Sequence, residues 1–157
     1  TIYSYINHPD INTVSLTKNW DASGKTGAEI ISDVLAMKQA SINAYHYGPW
    51  ILYIPTAYET VIDEDYDSTT PGTTIRERIL KISGIKDVKV VDYLPANHVL
   101  LVEMSTETVR LIRGLAIQNV QWQTEGKFVT KFKVLTIQVP QIRSDQNGKT
   151  GIVLLAA

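Results

Sequence analysis

The chain has 157 residues, of which 44% are apolar and 20% charged, and its formal net charge at pH 7 is −1. These values predict one globular domain, or one domain with an additional lobe, and exclude a disordered or fibrous chain. The near-neutral charge gives no general attraction to nucleic acid, and the absence of cysteine excludes disulfides, thiolate nucleophiles and Cys-type zinc sites. Because no apolar run approaches the ~20 residues of a membrane-spanning helix, we expect a soluble protein.

The first third of the sequence predicts a strand, a long helix and a second strand. Residues 13–17 are a short strand candidate, and Thr26 with Glu29 forms a T-x-x-E capping box that predicts a helix over residues 27–47. A Gly-Pro pair then ends this helix. The apolar run at residues 50–54 lies between two prolines, which predicts a buried strand.

The middle third predicts two short helices on either side of an acidic loop. Residues 56–63 resemble a short helix, and residues 63–72 contain four acidic residues and a Pro-Gly pair, which indicates a solvated loop. Thr74 and Glu77 form a second capping box that predicts another helix, and Gly84 is placed to end it.

The remaining sequence predicts mostly strands. Residues 86–93 and 98–104 are joined by a four-residue connection containing proline, which is typical of a β-hairpin or long turn. Residues 105–114 fit either a short helix or a strand. A long strand at residues 128–139 and a last strand at residues 151–156 are separated by an Asn-Gly pair, a strong signal for a hairpin turn.

Two Gly-Lys-Thr tripeptides resemble the end of a phosphate-binding loop. That loop requires a glycine five positions before its last glycine, where this chain has Asn19 and Arg143. We therefore assign the first tripeptide to helix capping and the second to a hairpin turn.

The acidic residues and histidines give weak signals for a metal. Asp63, Asp65 and Asp67 alternate as at the start of a calcium loop, but the glycine and glutamate that such a loop requires are replaced by Ser68 and Thr74. The three histidines are far apart in the sequence and lack metal-binding spacing. We therefore expect no metal site and no cofactor.

The sequence also lacks a clear catalytic pair. His98 could pair with Asp92 or Glu103, but a regular strand places Glu103 on the face opposite His98. A basic stretch in the long strand alternates with phenylalanines, which could indicate nucleic-acid binding, although such lysines more often protect the solvent face or edge of a strand. The basic residues are Lys127, Lys131 and Lys133. We expect a protein that is not an enzyme.

The order of three segments resembles a known family. These segments are GPWILYIPTAYETVIDEDY, TIRERILKISGIKDVKVVDYLPANHVLLVEM and FKVLTIQVPQIRSDQNGKTGIVLL. Together they resemble the major capsid proteins of tailed phages, which have the Hong Kong 97 fold that bacterial encapsulin shells share. The segment YINHPDINTVSLTKNWDASGKTGAEIISDVL resembles the start of the long spine helix in a prophage branch of this family.

The resemblance implies an α+β fold with a long spine helix, peripheral β-strands and an axial α/β lobe. Residues 1–49 and 126–157 would form the peripheral domain, and residues 50–125 the axial domain. A loop facing the fivefold or sixfold axis would contain Tyr93, Leu94, Pro95, Ala96, Asn97 and His98. The N-terminal arm and extended loop that precede the spine helix in this family would be missing, so we expect a core fragment.

The function implied by the resemblance is that of a structural subunit of an icosahedral phage or prophage capsid. Its copies would form pentamers and hexamers that enclose DNA without binding it specifically, in the virion after assembly in the host cytoplasm. Scaffold and portal proteins would be further partners, and no membrane is implied. We also expect charge contacts between neighbouring subunits, from Asp63, Glu64, Asp65 and Asp67 to Lys127, Lys131 and Lys133.

Two alternatives remain open from the sequence. The first is a shell protein of an encapsulin-like nanocompartment, which would enclose a cargo protein. The second is a small α+β enzyme or ligand-binding domain, which would have a concave pocket with clustered titratable groups around His98 or Asp63.

Overall fold

A computed structural model describes residues 3–67, 72–124, 126 and 128–156. The strands within this part of the chain are β1 (Asn12–Ser15), β2 (Trp50–Ile54), β3 (Ile85–Val90), β4 (His98–Glu103), β5 (Val109–Gln123), β6 (Thr130–Ile142) and β7 (Ile152–Ala156). The helices are α1 (Gly27–Asn43), α2 (Glu59–Ile62) and α3 (Ile75–Leu80), and a 3₁₀ turn at Thr56–Tyr58 precedes α2. The chain is therefore a mixture of α-helix and β-sheet, as the sequence predicts.

Five strands form one mixed sheet in the order β1-β7-β4-β2-β3. The two outer pairs, β1 with β7 and β2 with β3, are parallel, whereas β4 pairs antiparallel with both β7 and β2. In the central register Leu52 lies opposite Leu101, and Leu101 lies opposite Val153. These alternating apolar residues place one face of the sheet in the hydrophobic core.

Helix α1 supplies the other side of that core. Its capping box is present as predicted, because the Thr26 side chain accepts from the Glu29 backbone amide and the Glu29 side chain accepts from the Thr26 amide. Val34 and Met37 are completely buried and belong to the same cluster as the apolar residues of the sheet. The helix ends at Asn43, before the predicted residue 47, because Tyr45 adopts a left-handed backbone conformation with φ of 63°.

The sequence predicted a hairpin or a long turn between β3 and β4, and the hairpin is wrong. Strand β2 lies between them and pairs with both. The burial patterns explain this order, since β4 is buried along almost its whole length, whereas β3 exposes two of every three residues. A strand with charged, exposed positions is suited to the edge of a sheet, and an apolar strand is suited to its centre.

The predicted hairpin across Asn147 and Gly148 is also wrong. Asp145 and its neighbours do form a turn there, but the strand that follows pairs with β1 and β4 and not with β6. Strand β6 pairs instead with β5, whose first residues the sequence left undecided between helix and strand. The hairpin-like pairing of neighbouring strands therefore joins β5 to β6, and not β6 to β7 as predicted.

Strands β5 and β6 form a compact unit of their own, which we call the ribbon (Val109–Gln141). The Arg110 Nε donates to Gln141 Oε1 at 2.7 Å, and the Thr136 hydroxyl donates to the Leu115 carbonyl at 2.9 Å, so the two strands run antiparallel. The rest of the chain, residues 1–108 and 142–157, forms the second unit, which we call the core unit.

These two units differ from the domains predicted from the sequence. The prediction separated residues 1–49 and 126–157 from residues 50–125, but α1 and β7 share one hydrophobic core with β2 and β4. The boundaries between the compact units lie at residues 108/109 and 141/142. The sequence did not reveal these boundaries because they depend on contacts between residues that are far apart in the chain.

The indole of Trp50 is packed between two glycines. A Cβ added to Gly48 would lie 2.7 Å from Trp50 Cε3, and one added to Gly84 would lie 2.6 Å from Cζ3. The indole nitrogen donates to the buried Ser41 hydroxyl at 2.9 Å. Glycine at these two positions therefore lets the first residue of β2 enter the core next to α1.

We predict that Gly84→Ala destabilises the protein by about 2–4 kcal/mol, because alanine adds both a clash with Trp50 and a side chain at φ of 90°. Gly72→Ala is the matched control, since Gly72 has the same φ but open space around its Cα, and should cost about 1–2 kcal/mol. Urea unfolding followed by circular dichroism measures both values. Equal losses would show that the contact with Trp50 contributes nothing.

Candidate functional site

The loop between β3 and β4 contains the residues that the sequence assigned to a symmetry axis. Tyr93 is 96% exposed, whereas the adjacent Leu94 is buried at 8% exposure. The His98 ring nitrogen Nδ1 lies 3.0 Å from the Ala96 carbonyl oxygen. Pro95 contributes its carbonyl oxygen to the backbone amide of His98. The loop thus presents one large aromatic side chain to its surroundings while the next residue fixes it to the core unit.

A buried tyrosine holds the far end of this loop. The Tyr58 hydroxyl donates to Asn97 Oδ1 at 3.0 Å, and Asn97 itself adopts a left-handed conformation with φ of 64°. The Tyr58 ring stacks on Trp20, with 5.4 Å between the ring centroids. Burial raises the pKa of Tyr58, so its hydroxyl keeps the proton that it donates. The loop is therefore held in one conformation from inside the core.

The acidic segment (residues 63–67) is exposed but its backbone is ordered. The Tyr66 amide donates to the Thr73 carbonyl at 2.8 Å, and the Ile75 amide donates to the Glu64 carbonyl at 3.1 Å. Asp63 forms an ion pair with Arg76 at 2.6 Å. The hydrogen bond that Arg76 donates to Asp63, together with the Glu59 carboxylate, raises the pKa of Arg76. Asp63, Glu64, Asp65 and Asp67 are all exposed.

The predicted basic stretch belongs to the ribbon. Lys131 and Lys133 lie on β6 and are exposed, whereas Lys127 lies outside the described residues. The acidic segment belongs to the core unit. The two groups of the predicted charge contact are therefore on different units.

The ribbon also exposes many large apolar side chains. Of the twenty exposed large hydrophobic side chains among the described residues, eleven lie in this one unit. They are Leu111, Ile112, Ile117, Val120, Trp122, Phe128, Val129, Phe132, Val134, Ile137 and Val139. An isolated two-stranded hairpin is marginally stable in water, and exposed apolar surface of this kind marks an interaction site. The apolar residues are visible in the sequence, but their exposure depends on how the strands pair, and that pairing differs from the predicted one.

The sequence did not predict a buried polar cluster around Glu103. The Glu103 side chain is only 10% exposed, and its Oε2 lies 2.6 Å from Nδ1 of His46. It also accepts from the Thr108 hydroxyl at 2.9 Å and from the Gly48 amide at 3.0 Å. Gly151 completes the cluster, since a Cβ there would lie 2.7 Å from Glu103 Oε2. Residues far apart in sequence meet here, which no local pattern indicates.

This cluster holds together the segments next to the ribbon. The Thr108 carbonyl, directly before β5, accepts from the Arg143 amide, directly after β6, at 2.9 Å. The Glu103 amide donates to the Gly151 carbonyl, which joins the end of β4 to the start of β7. His46 Nε2 is buried and has no hydrogen-bond partner among the described residues. We therefore interpret the cluster as structural, because this nitrogen has no access to a substrate.

A shallow cleft lies near the same cluster. It is lined by Tyr45, Glu107, Arg143, Ser144, Asp145, Gln146 and Asn147. The Arg143 guanidinium pairs with Glu107 at 2.8 Å, and the Ser144 hydroxyl contacts Asp10. The Arg143 guanidinium and the Ser144 hydroxyl of the cleft are thus already engaged with other side chains.

The other predicted chemical signals lead to no site in the described part of the chain. The described residues contain no group of three or more side chains that could hold a metal ion. His98 contacts its own loop, and Glu103 contacts His46 at the opposite end of β4. No described helix has both the length and the apolar character needed to cross a membrane.

We predict that Glu103→Gln lowers the free energy of unfolding by about 2–4 kcal/mol, because His46 and two further donors lose a carboxylate partner away from water. Glu64→Gln, which makes the same change on the exposed acidic segment, should alter it by no more than about 0.5 kcal/mol. Urea unfolding at pH 7 compares the two variants. A similar effect of both would contradict a stabilising role for the buried cluster.

The turn at Asp145 predicts an acid-dependent contribution to stability. Backbone amides of Lys149 and Asn147 donate to Asp145, which lowers the pKa of this carboxyl from 3.8. A lowered folded-state pKa gives stability that is present above the unfolded-state pKa and is lost as the pH falls through the folded-state value. Asp145→Asn should therefore have a lower Tm than the wild type at pH 6, and the difference should shrink on acidification below about pH 4. A difference independent of pH would contradict this assignment.

Comparison with known proteins shows a solved structure with a similar fold. No curated protein matches the chain. The chain resembles the crystal structure of a virus-like particle from Pyrococcus furiosus, with a TM-score of 0.70 at 20% sequence identity. This likeness covers 96% of the chain and 58% of the chain from the virus-like particle, so the chain spans less than two thirds of the protein that it resembles. Residues 2–155 match a family described as a family of unknown function (DUF6260), and the chain belongs to that family.

Proposed function

We propose that the chain is part of the structural subunit of an icosahedral shell, and that this shell is the capsid of a tailed phage or prophage with the Hong Kong 97 fold. The observation that carries the proposal is the likeness of 96% of the chain to a virus-like particle protein. At 20% identity that likeness concerns the fold. The step from fold to function depends on the surfaces described above.

The exposed ribbon supports a role in assembly. A closed shell needs subunits that meet through different surfaces, and many modest contacts become strong together once a ring has closed. The ribbon presents eleven large apolar side chains, including Phe128 at 96% and Ile117 at 74% exposure. Such a surface suits a protein that is covered by neighbouring subunits in its functional state.

The proposed partners are copies of the same subunit, arranged in pentamers and hexamers. Scaffold and portal proteins would join them, and the DNA would be enclosed without a specific contact. The subunits would assemble in the host cytoplasm and remain in the virion. We propose no catalytic role and no cofactor, since the groups that converge around Glu103 are buried and Arg76 is already paired with Asp63 and Glu59.

An encapsulin-like nanocompartment is the second candidate, because the matched structure is described only as a virus-like particle. The two candidates differ in their contents. A phage capsid encloses DNA, whereas a nanocompartment encloses a cargo protein. Nucleic-acid and protein analysis of purified particles therefore distinguishes them.

The test is electron microscopy of the longer protein that contains this chain, expressed in bacteria. Closed particles of uniform size would support the proposal. A protein that stays monomeric or dimeric at all concentrations, and in the presence of the proteins encoded beside it, would contradict it. The absence of particles from the 157-residue chain by itself would not, since the matched shell protein is longer.

We further predict that Tyr93→Ala lowers capsomer yield without changing the fold. Tyr93 is 96% exposed, so its removal should change the free energy of unfolding by less than about 0.5 kcal/mol. A loop that faces a symmetry axis would nevertheless lose one aromatic contact per subunit, repeated around the ring. Negative-stain counts of particles measure the yield. Tyr47→Ala, which removes another exposed tyrosine, is the matched control.

A further inference from the structure

Charge is unevenly divided between the two units. The ribbon contains five basic residues and one acidic residue, a formal charge of +4, whereas the rest of the chain contains ten basic and fifteen acidic residues, a formal charge of −5. The total of −1 hides this asymmetry. Opposite charges on two surfaces attract each other, and they select which surfaces meet.

We propose that the ribbon of one copy docks on the acidic surface of the core unit of a second copy. This inference rests on the proposed shell function and identifies one of its interfaces. The acidic segment (residues 63–67) is the densest part of the core unit's negative charge, with four carboxylates in five residues. Lys131 and Lys133 are the described lysines of the ribbon that would face it.

The apolar residues of the ribbon explain why the contact needs a partner. Gly114 packs on Ile137 across the ribbon, and period-two alternation puts Ile112 and Val139 on the same face as this pair. Ile112, Ile137 and Val139 are 43%, 58% and 37% exposed. These aliphatic side chains gain free energy only when another surface removes them from water.

The charge of the ribbon distinguishes between the partners that could bind to it. Two ribbons would repel each other because each carries +4, so pairing between ribbons is disfavoured. A single-stranded nucleic acid would use the lysines and aromatic rings, but not the aliphatic side chains that dominate the ribbon. The core unit of a second copy is acidic, so it attracts the positively charged ribbon, and it can also cover the apolar side chains of the ribbon.

The acidic segment is suited to bind the ribbon because hydrogen bonds fix its backbone. The Asp65 bridge to Thr74 holds the segment against the start of α3, and Arg76 neutralises Asp63. Glu64 and Asp65 remain exposed on this ordered segment. A fixed partner surface loses less conformational entropy on binding than a flexible one.

The first experiment uses equal amounts of the 157-residue chain with natural isotopes and with ¹⁵N, mixed and treated with a carbodiimide that joins lysines to carboxylates. We expect mass spectrometry to find links from Lys131 and Lys133 to residues 63–67 in pairs of one heavy and one light chain. Links confined to chains of a single isotope would show docking within one copy and overturn the proposal. A monomeric chain without such links would overturn it as well.

The second experiment uses charge reversal. Lys131→Glu with Lys133→Glu should weaken self-association, measured by sedimentation velocity at low salt, at least about tenfold. Adding Glu64→Lys and Asp65→Lys to the same chain should restore most of it. Lys86→Glu with Lys89→Glu makes the same charge change on the exposed side of β3 and is the matched control.

The controls separate the possible failures. Restoration by the compensating pair excludes misfolding as the cause of the loss, and circular dichroism checks the fold of each variant. Equal weakening by the control pair, or failure of the compensating pair to restore association, would overturn the proposal. If single-stranded DNA binds the wild type and the compensating pair does not restore association, the ribbon is a nucleic-acid surface.

Different results would contradict the proposed function and this inference. Closed particles from the longer protein, with no effect of the Lys131 and Lys133 reversal on their yield, would leave the shell function standing and remove the ribbon contact. Cross-links between heavy and light chains, without any closed particles, would support the ribbon contact and contradict the shell function.

Discussion

The buried carboxyl group of Glu103 is the contact on which the organisation of the core unit depends. It receives hydrogen bonds from the segment after α1 and from Thr108, directly before β5, and its backbone is paired with Gly151 at the start of β7. Removing an unpaired acid from water costs several kcal/mol, so these partners are required once the acid is buried. The arrangement fixes the chain on both sides of the ribbon without any contribution from the ribbon itself.

The protein thus combines a conventional core with a strongly exposed second unit. The five-stranded sheet buries its apolar residues against α1, whereas the ribbon leaves most of its own exposed. A monomer gains nothing from such a surface, and the charge of the ribbon is opposite to that of the core unit. Burial and charge both indicate that the ribbon is a surface on which a partner can bind.

The sequence predicted individual elements better than their pairing. Both capping threonines, Thr26 and Thr74, start helices as expected, and the apolar run between two prolines is strand β2. These features depend on a few neighbouring residues. Strand order depends on burial across the whole chain, so β2 between β3 and β4 was not predictable from hairpin-like spacing. The Glu103 cluster was missed for the same reason, because His46 is 57 positions away.

The position of β7 has a consequence for the time course of synthesis. This strand lies between β1 and β4, and its residue Val153 is paired with Asn12 at the other end of the sequence. The ribbon precedes β7 in the chain and needs only neighbouring residues to form. On the ribosome, the sheet is therefore incomplete until its last strand has emerged, and pairing across such long separations is slow. A nascent chain therefore exposes the apolar side chains of the ribbon before the five-stranded sheet is complete. The order of the strands in the sequence thus favours early protection of the ribbon, while translation is still in progress.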